Sequence, residues 1–360
     1  MQPNPLLGVL FHAIGGFAAG TFYLPFKGVR KWAWESYWLV GGFFSWIVAP
    51  LFAATLLNKD LFGIYAATPP KSLFFTYLFG LLWGVGGLTF GLSVRYLGLS
   101  LGYALALGFC ATFGTIIPPM FMGTLPEMIA SVSGLTIFAG VGVCLAGIAV
   151  CGCAGVFKER ELTSDQKTAA NVEFNFLKGV WIAVFAGVMS ACMAFAFAAG
   201  KPIGEAAVVL GTGHTFSNTP VLVIALLGGF TTNCVWCIYL NIKNGTAGDY
   251  LRFDDPAFLT NYFFSALAGI TWYLQFFFYG MGTTKMGQYD FSSWTLHMAF
   301  IIIFSNLWGI VLKEWRGTSA RTHAIIALGI LVLTLSTIVV GYGNYLGTLP
   351  AAALEALPKL

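Results

Sequence analysis

The chain alternates long apolar runs with short polar breaks. Ten runs are long enough to cross the ~30 Å of bilayer hydrocarbon as helices rising 1.5 Å per residue. They lie at approximately 6–25, 37–57, 73–94, 99–122, 134–156, 177–199, 218–240, 259–280, 291–312 and 322–345. The second break is marked by Asn58, Lys59, Asp60 and then Pro69-Pro70, while Arg95 to Ser100 leaves barely a turn. The longest charged stretch, KERELTSDQK from Lys158, divides the runs five against five. This pattern predicts an all-α polytopic membrane protein of ten transmembrane helices. Its expected parts are a first five-helix repeat at 1–157, a cytoplasmic linker at 158–176, a second repeat at 177–345 and a tail at 346–360.

The two halves resemble each other at a constant offset. Trp83-Gly84 … Gly91 … Arg95-Tyr-Leu-Gly98 lies over Trp272-Tyr273 … Gly280 … Thr284-Lys-Met-Gly287; outside that offset, Pro25 near the end of the first span is matched by Pro202 near the end of the sixth. Five spans is an odd number, so the second copy is expected to enter the membrane upside down. Inverted repeats around a midplane site are a transporter arrangement. The same offset sets Asp290, Trp294 and His297 against Leu101, Leu105 and Gly108. Ionisable chemistry is therefore expected to sit mainly in the second half.

Composition agrees with lipid contact. Hydrophobic residues make up 58% of the chain and charged residues 9%, against about 25% charged in soluble domains. Of the eighteen Lys and Arg, thirteen fall in the odd-numbered connections and five in the even-numbered ones and the tails. The positive-inside rule then puts the odd connections in the cytoplasm and both termini in the periplasm. The net charge of +4 is spread over short loops and forms no nucleic-acid patch. No leader is expected, because Met1 to Pro5 lacks a basic segment. Cys151-Gly-Cys153 and Cys234-Val-Trp-Cys237 have no companion His or Cys cluster and read as small apolar packers, so no metal or cofactor is expected.

Polar groups inside apolar runs are costly and tend to face an interior or a wet cavity. They concentrate in the hairpin from Thr271 to Trp315. Gln275 and Tyr279 are four apart on its first helix, and Gln288 precedes the second. Asp290, Trp294 and His297 follow at i, i+4 and i+7, on one helical face. Asp290 and His297 suit proton coupling, with the Trp294 indole as a stacking surface. Helix capping by Asp290 and a core role for His297 are the competing accounts. Gln275 and Tyr279 offer donors and acceptors to hydroxyl-rich ligands, or to neighbouring helices. His12 is a titratable group a third of the way into the first span. Lys201 and Glu205, four apart around Pro202, are expected to act as a functional pair. Glu35, in KWAWESYW, reads as an interfacial charge that snorkels.

A catalytic constellation is not apparent: the four histidines are scattered, and there is no HExxH and no phosphate-binding loop. The chemistry expected is transport, with a channel or membrane enzyme as the rival.

At several blocks the chain resembles the L-rhamnose–proton symporter family within the drug/metabolite transporter superfamily. The blocks are FYLPFKGVRKWAWE (22–35), WGVGGLTFGLSVRYLGLSLG (83–102), AAGKPIGEAA (198–207), WYLQFFFYGMG (272–282), QYDFSSWTLHMAF (288–300) and GIVLKEW (309–315). The resemblance implies an inner-membrane carrier that takes up L-rhamnose or a related sugar with protons. The matching positions are His12, Lys201, Glu205, Gln275, Gln288, Asp290 and His297. GTGHTFSN (211–218), DYLRFDDP (249–256) and the tail depart from the family pattern, which bears on substrate range. A carrier of this superfamily for another small metabolite is the alternative.

Overall fold

The structure, a computed structural model, describes residues 3–97, 99–121, 123–161 and 175–350. Every regular element among them is helical. The long helices are α1 (Pro5–Thr21), α2 (Trp34–Leu57), α3 (Pro70–Leu97), α4 (Leu99–Phe121), α5 (Val132–Glu161), α6 (Phe176–Ala199), α7 (Thr219–Asn244), α8 (Phe258–Thr283), α9 (Ser293–Val311) and α10 (Ala320–Leu346). Among the described residues, eight helical spans are long and apolar enough to cross a membrane. The chain is thus a multi-pass helical membrane protein. Of the other two helices, α4 supplies a shorter apolar stretch, Ala104–Met120, and α8 interrupts its apolar residues with buried Asn261, Ser265 and Gln275.

Packing follows the small residues. α5 and α10 form the most extensive pair, because glycines let their backbones approach. A Cβ on Gly147 would lie 3.0 Å from the Leu333 nitrogen, and one on Gly343 2.9 Å from the Ile137 nitrogen. Lipid tails are as apolar as the side chains, so such close van der Waals packing is what holds membrane helices together. α1 wedges against α8 and α9, and α6 packs against α3 and α4. Gly15 and Gly16 give α1 its fit, lying against the Gln275 carbonyl and the Phe300 backbone.

α2 is not uniform. Phe44–Val48 forms a π-helical turn just before Pro50. Proline has no N–H for the carbonyl four residues back and its ring crowds that carbonyl. A widened turn is one way for a helix to absorb that defect.

The connection from α1 to α2 is tied to the connection from α7 to α8. Asp249 accepts from the Ala33 N–H at 2.9 Å and the Ser36 hydroxyl at 2.8 Å. Glu35 accepts from Asn244 Nδ2 at 2.9 Å and Thr246 Oγ1 at 2.8 Å. Both carboxylates are buried. The snorkelling role expected of Glu35 does not hold. The short 3₁₀ turn Ala247–Leu251 and its flanks cover it with donors, which no periodicity in the α2 segment could reveal.

At the same end of the bundle α5 continues to Glu161, into the stretch expected to be linker. The Glu161 carboxylate accepts from the Ser319 N–H at 2.6 Å and the Thr322 hydroxyl at 2.8 Å, and so caps the start of α10. The central part of the expected linker, 162–174, and the tail from 351 lie outside the described residues.

Candidate functional site

The hairpin of α8 and α9 and the middle of α1 meet around one phenol ring. Tyr279 on α8 lies between two imidazoles, with centroids 5.4 Å from His12 on α1 and 5.2 Å from His297 on α9. Phe197 of α6 meets its edge at 4.8 Å and Trp294 at 5.7 Å. His12 and His297 are fully buried. Close helix approach seats the first of them, since a Cβ on Gly282 would come within 2.6 Å of the His12 ring.

All four ring nitrogens of the two histidines lack a hydrogen-bond partner among the described residues, as does Gln275 Nε2 one turn from Tyr279. A buried polar atom left unpaired costs about 1–3 kcal/mol. Such a cluster in an otherwise apolar core marks a place where a polar ligand is worth binding.

On the far side of Tyr279 is a small cavity of about 60 Å³, lined by Tyr279, Phe197, Lys201, Asn218, Thr283 and Asp290 among others. Lys201 Nζ and Asp290 Oδ2 lie 2.9 Å apart at its rim. Two local features create this pair. α6 ends at Gly200, and Lys201 opens the short helix Lys201–Val209. α8 ends at Thr283, and the chain reverses at Gly287, whose φ of +76° favours glycine. A 3₁₀ turn, Gly287–Ser292, then carries Asp290 over Lys201. Ser292, not Asp290, occupies the cap position of α9.

The expected residues therefore fall into groups. His12, Tyr279, Trp294 and His297 come into ring contact, and Gln275 lies one turn away. Lys201 and Asp290 share the adjoining cavity with Tyr279. Glu205 does not join them: it is exposed on the short helix, and Lys201 bonds to Asp290 instead. The helix break at Gly200 turns Lys201 toward the α9 turn, so the i+4 neighbour is not its partner. Gln288 stands in the same 3₁₀ turn, but its side chain lies outside the described residues. Trp294 is 2% exposed and donates its indole N–H to the Cys110 carbonyl at 3.0 Å. It joins α9 to α4 and is a wall of the site, not an open stacking surface.

Asn218 was not anticipated. Its amide donates to the Gly280 carbonyl at 2.9 Å and to the Thr283 hydroxyl at 2.8 Å, which places it on the cavity wall. Its one sequence signal is an Asn before Thr-Pro at a helix start, which reads as a cap. No group of three or more His, Cys, Asp or Glu able to hold a metal occurs among the described residues.

A membrane-embedded helical bundle with a buried, unsaturated polar cluster beside a small cavity has the layout of a secondary transporter. Sequence comparison gives the family. The L-rhamnose-proton symport protein family matches residues 1–345, and this chain belongs to it. Proteins named L-rhamnose-proton symporter from Yersinia pestis (strain Pestoides F) and Yersinia pseudotuberculosis (serotype O:1b, strain IP 31758, and serotype O:3, strain YPIII) are similar to it. Each is 38% identical over 341 residues, covering 94% of this chain and 98% of the relative.

Proposed function

We propose that this protein takes up L-rhamnose or a closely related sugar together with protons, through the cluster centred on Tyr279. The observation that carries this reading is the phenol held between two imidazoles without partners, with an ion pair lining the adjoining cavity. In this reading His12, Gln275, Tyr279 and Gln288 meet sugar hydroxyls, and Lys201 and Trp294 bound the site. A deoxy sugar also presents a methyl group and C–H faces, which suit the surrounding aromatic rings.

Asp290 and His297 carry the proton side. The negative charge of Asp290 can be neutralised by Lys201 or by a proton, and the two compete. With Lys201 bound, the cavity is closed and far below the ~300 Å³ of ordinary small-molecule sites. A proton on Asp290 frees Lys201, and the rim can widen to admit sugar. After sugar and proton leave on the other side, Lys201 again neutralises Asp290, and the empty carrier returns without an unpaired buried charge. The higher affinity of the protonated form for sugar is the coupling. One proton crossing ~150 mV supplies on the order of 3 kcal/mol, enough for more than hundredfold accumulation.

The same proposal covers topology: ten membrane-spanning helices in two inverted five-helix repeats, within the drug/metabolite transporter superfamily, both termini periplasmic in the inner membrane. The helix pairings support the repeat. α1 packs on α8 and α9 as α6 packs on α3 and α4, while α5 pairs with α10. Exchanging each helix with the one five places away reproduces this pattern. The distribution of Lys and Arg supports the orientation.

Uptake of labelled L-rhamnose by cells expressing the chain tests the substrate, with a panel of unlabelled sugars as competitors. Concentrative uptake abolished by a protonophore, and competed best by 6-deoxy sugars, is expected. Uptake indifferent to the protonophore, or competed best by an amine or other metabolite, would replace this reading with a different carrier.

A further inference from the structure

A second cavity, well apart in its lining from the Tyr279 site, opens between membrane helices. A crevice of about 560 Å³ lies between α4 and α5, lined by Leu105, Gly108, Phe109, Cys153, Phe157 and Arg160 among others. None of the residues assigned to sugar or proton lines it. Its chemistry is also wrong for a sugar. Apart from Arg160 at one end, the lining is mainly aliphatic and aromatic, and the Thr112 hydroxyl on its wall already donates to the Gly108 carbonyl at 2.8 Å. A sugar placed there would leave its hydroxyls unpaired, at a cost for each.

One end of the crevice carries arginine. The Arg160 guanidinium lies 6.0 Å from the centre of the Phe157 ring, and that of Arg321, from the start of α10, lies 4.8 Å from the same centre. Two cations thus converge on the ring that forms the mouth. Among the described residues neither forms an ion pair with a carboxylate. The nearby Glu161 carboxylate keeps its charge but bonds Ser319 and Thr322 at the start of α10 and pairs with neither guanidinium. An apolar slot between membrane helices that ends in two arginines is complementary to one molecule of the bilayer itself. The slot takes a hydrocarbon chain and the arginines take a phosphate, with which guanidinium pairs in bidentate geometry.

We propose that the α4–α5 crevice binds an anionic phospholipid, with one acyl chain in the slot and the headgroup phosphate on Arg160 and Arg321. Such a lipid would bridge the C-terminal end of α5 to the start of α10, across the seam that Glu161 already caps.

The test uses the full chain, purified in detergent and incubated with phosphatidylglycerol or with phosphatidylcholine of the same acyl chains. Retained lipid is read by native mass spectrometry. Wild type is expected to hold one phosphatidylglycerol in preference to phosphatidylcholine. R160Q/R321Q should weaken that retention roughly 30-fold, since each basic residue near a lipid surface counts for about one factor of five. Gly108→Leu tests the slot without touching charge. A Cβ there meets only an Ile148 methyl at 3.9 Å, so the side chain grows into the crevice and should expel both lipids. Unchanged thermal unfolding midpoints in lipid-free detergent show that the variants fold. Equal retention of the two lipids by wild type overturns the proposal. So does wild-type retention by R160Q/R321Q, or displacement of the lipid by glycerol phosphate at equal concentration, which would make the slot irrelevant.

Discussion

The two ends of α8 are closed in opposite ways. At the Asp290 end a single ion pair spans the rim, with the Lys201 side chain 41% exposed and that of Asp290 30% exposed. At the Asp249 end two buried carboxylates each accept two or more hydrogen bonds, from backbone, hydroxyl and amide donors of both connections. A half-exposed pair contributes about 0–1 kcal/mol, whereas a buried network costs several when one member is removed. The first closure rests on one contact; the second is shared among several. The Asp249 end is thus held by a buried network and the Asp290 end by one partly exposed pair.

That contrast can be broken by substitution, and stability is the scale on which it shows. Asp249→Ala should be the most damaging, because it strands the Ala33 N–H and leaves the Ser36 hydroxyl only its longer bond to Asn241. A loss of about 3 kcal/mol is expected, read as a lowered unfolding midpoint of the purified protein. Glu35→Gln keeps the shape but weakens two charge-assisted bonds, and should cost roughly 1–2 kcal/mol. Lys201→Met should change stability by less than about 1 kcal/mol yet stop net uptake, because the empty carrier can then neutralise Asp290 only by keeping its proton. Labelled-sugar exchange across equal concentrations should continue in that variant. Glu205→Gln should be smallest, within about 0.5 kcal/mol and with uptake unchanged. Loss of uptake in Glu205→Gln would return Glu205 to the mechanism. A Lys201→Met protein as unstable as Asp249→Ala would erase the difference between the two ends.

Much of this was legible in the sequence, for physical reasons that differ by residue. His12, Tyr279 and His297 stand out because a polar group within an apolar run is rare and costly, and the i, i+4 and i+7 spacings fix their faces. Pairing was less legible. Lys201 and Glu205 sit at ideal helical spacing, but the break at Gly200 and the reversal at Gly287 bring Asp290 to Lys201 from 89 residues away in the chain. Glu35 looked interfacial because its cover comes from Asn244 and Thr246, far along the sequence. Trp294 is similar: its face was predictable, but not that its N–H is consumed by Cys110 on α4. Local pattern shows which groups are misplaced in lipid; only the fold shows which neighbour satisfies them.

The central claim is that Asp290 exchanges Lys201 for a proton, and Asp290→Asn tests it most directly. Vesicles carrying wild type or Asp290→Asn should be compared for two rates: labelled L-rhamnose exchange without a proton gradient, and accumulation with one. Asparagine resembles a protonated carboxyl in shape and charge, so exchange should persist near the wild-type rate. Accumulation, and the proton movement that accompanies sugar addition, should disappear. An Asp290→Asn protein that still concentrates the sugar and moves protons as wild type does would contradict the account.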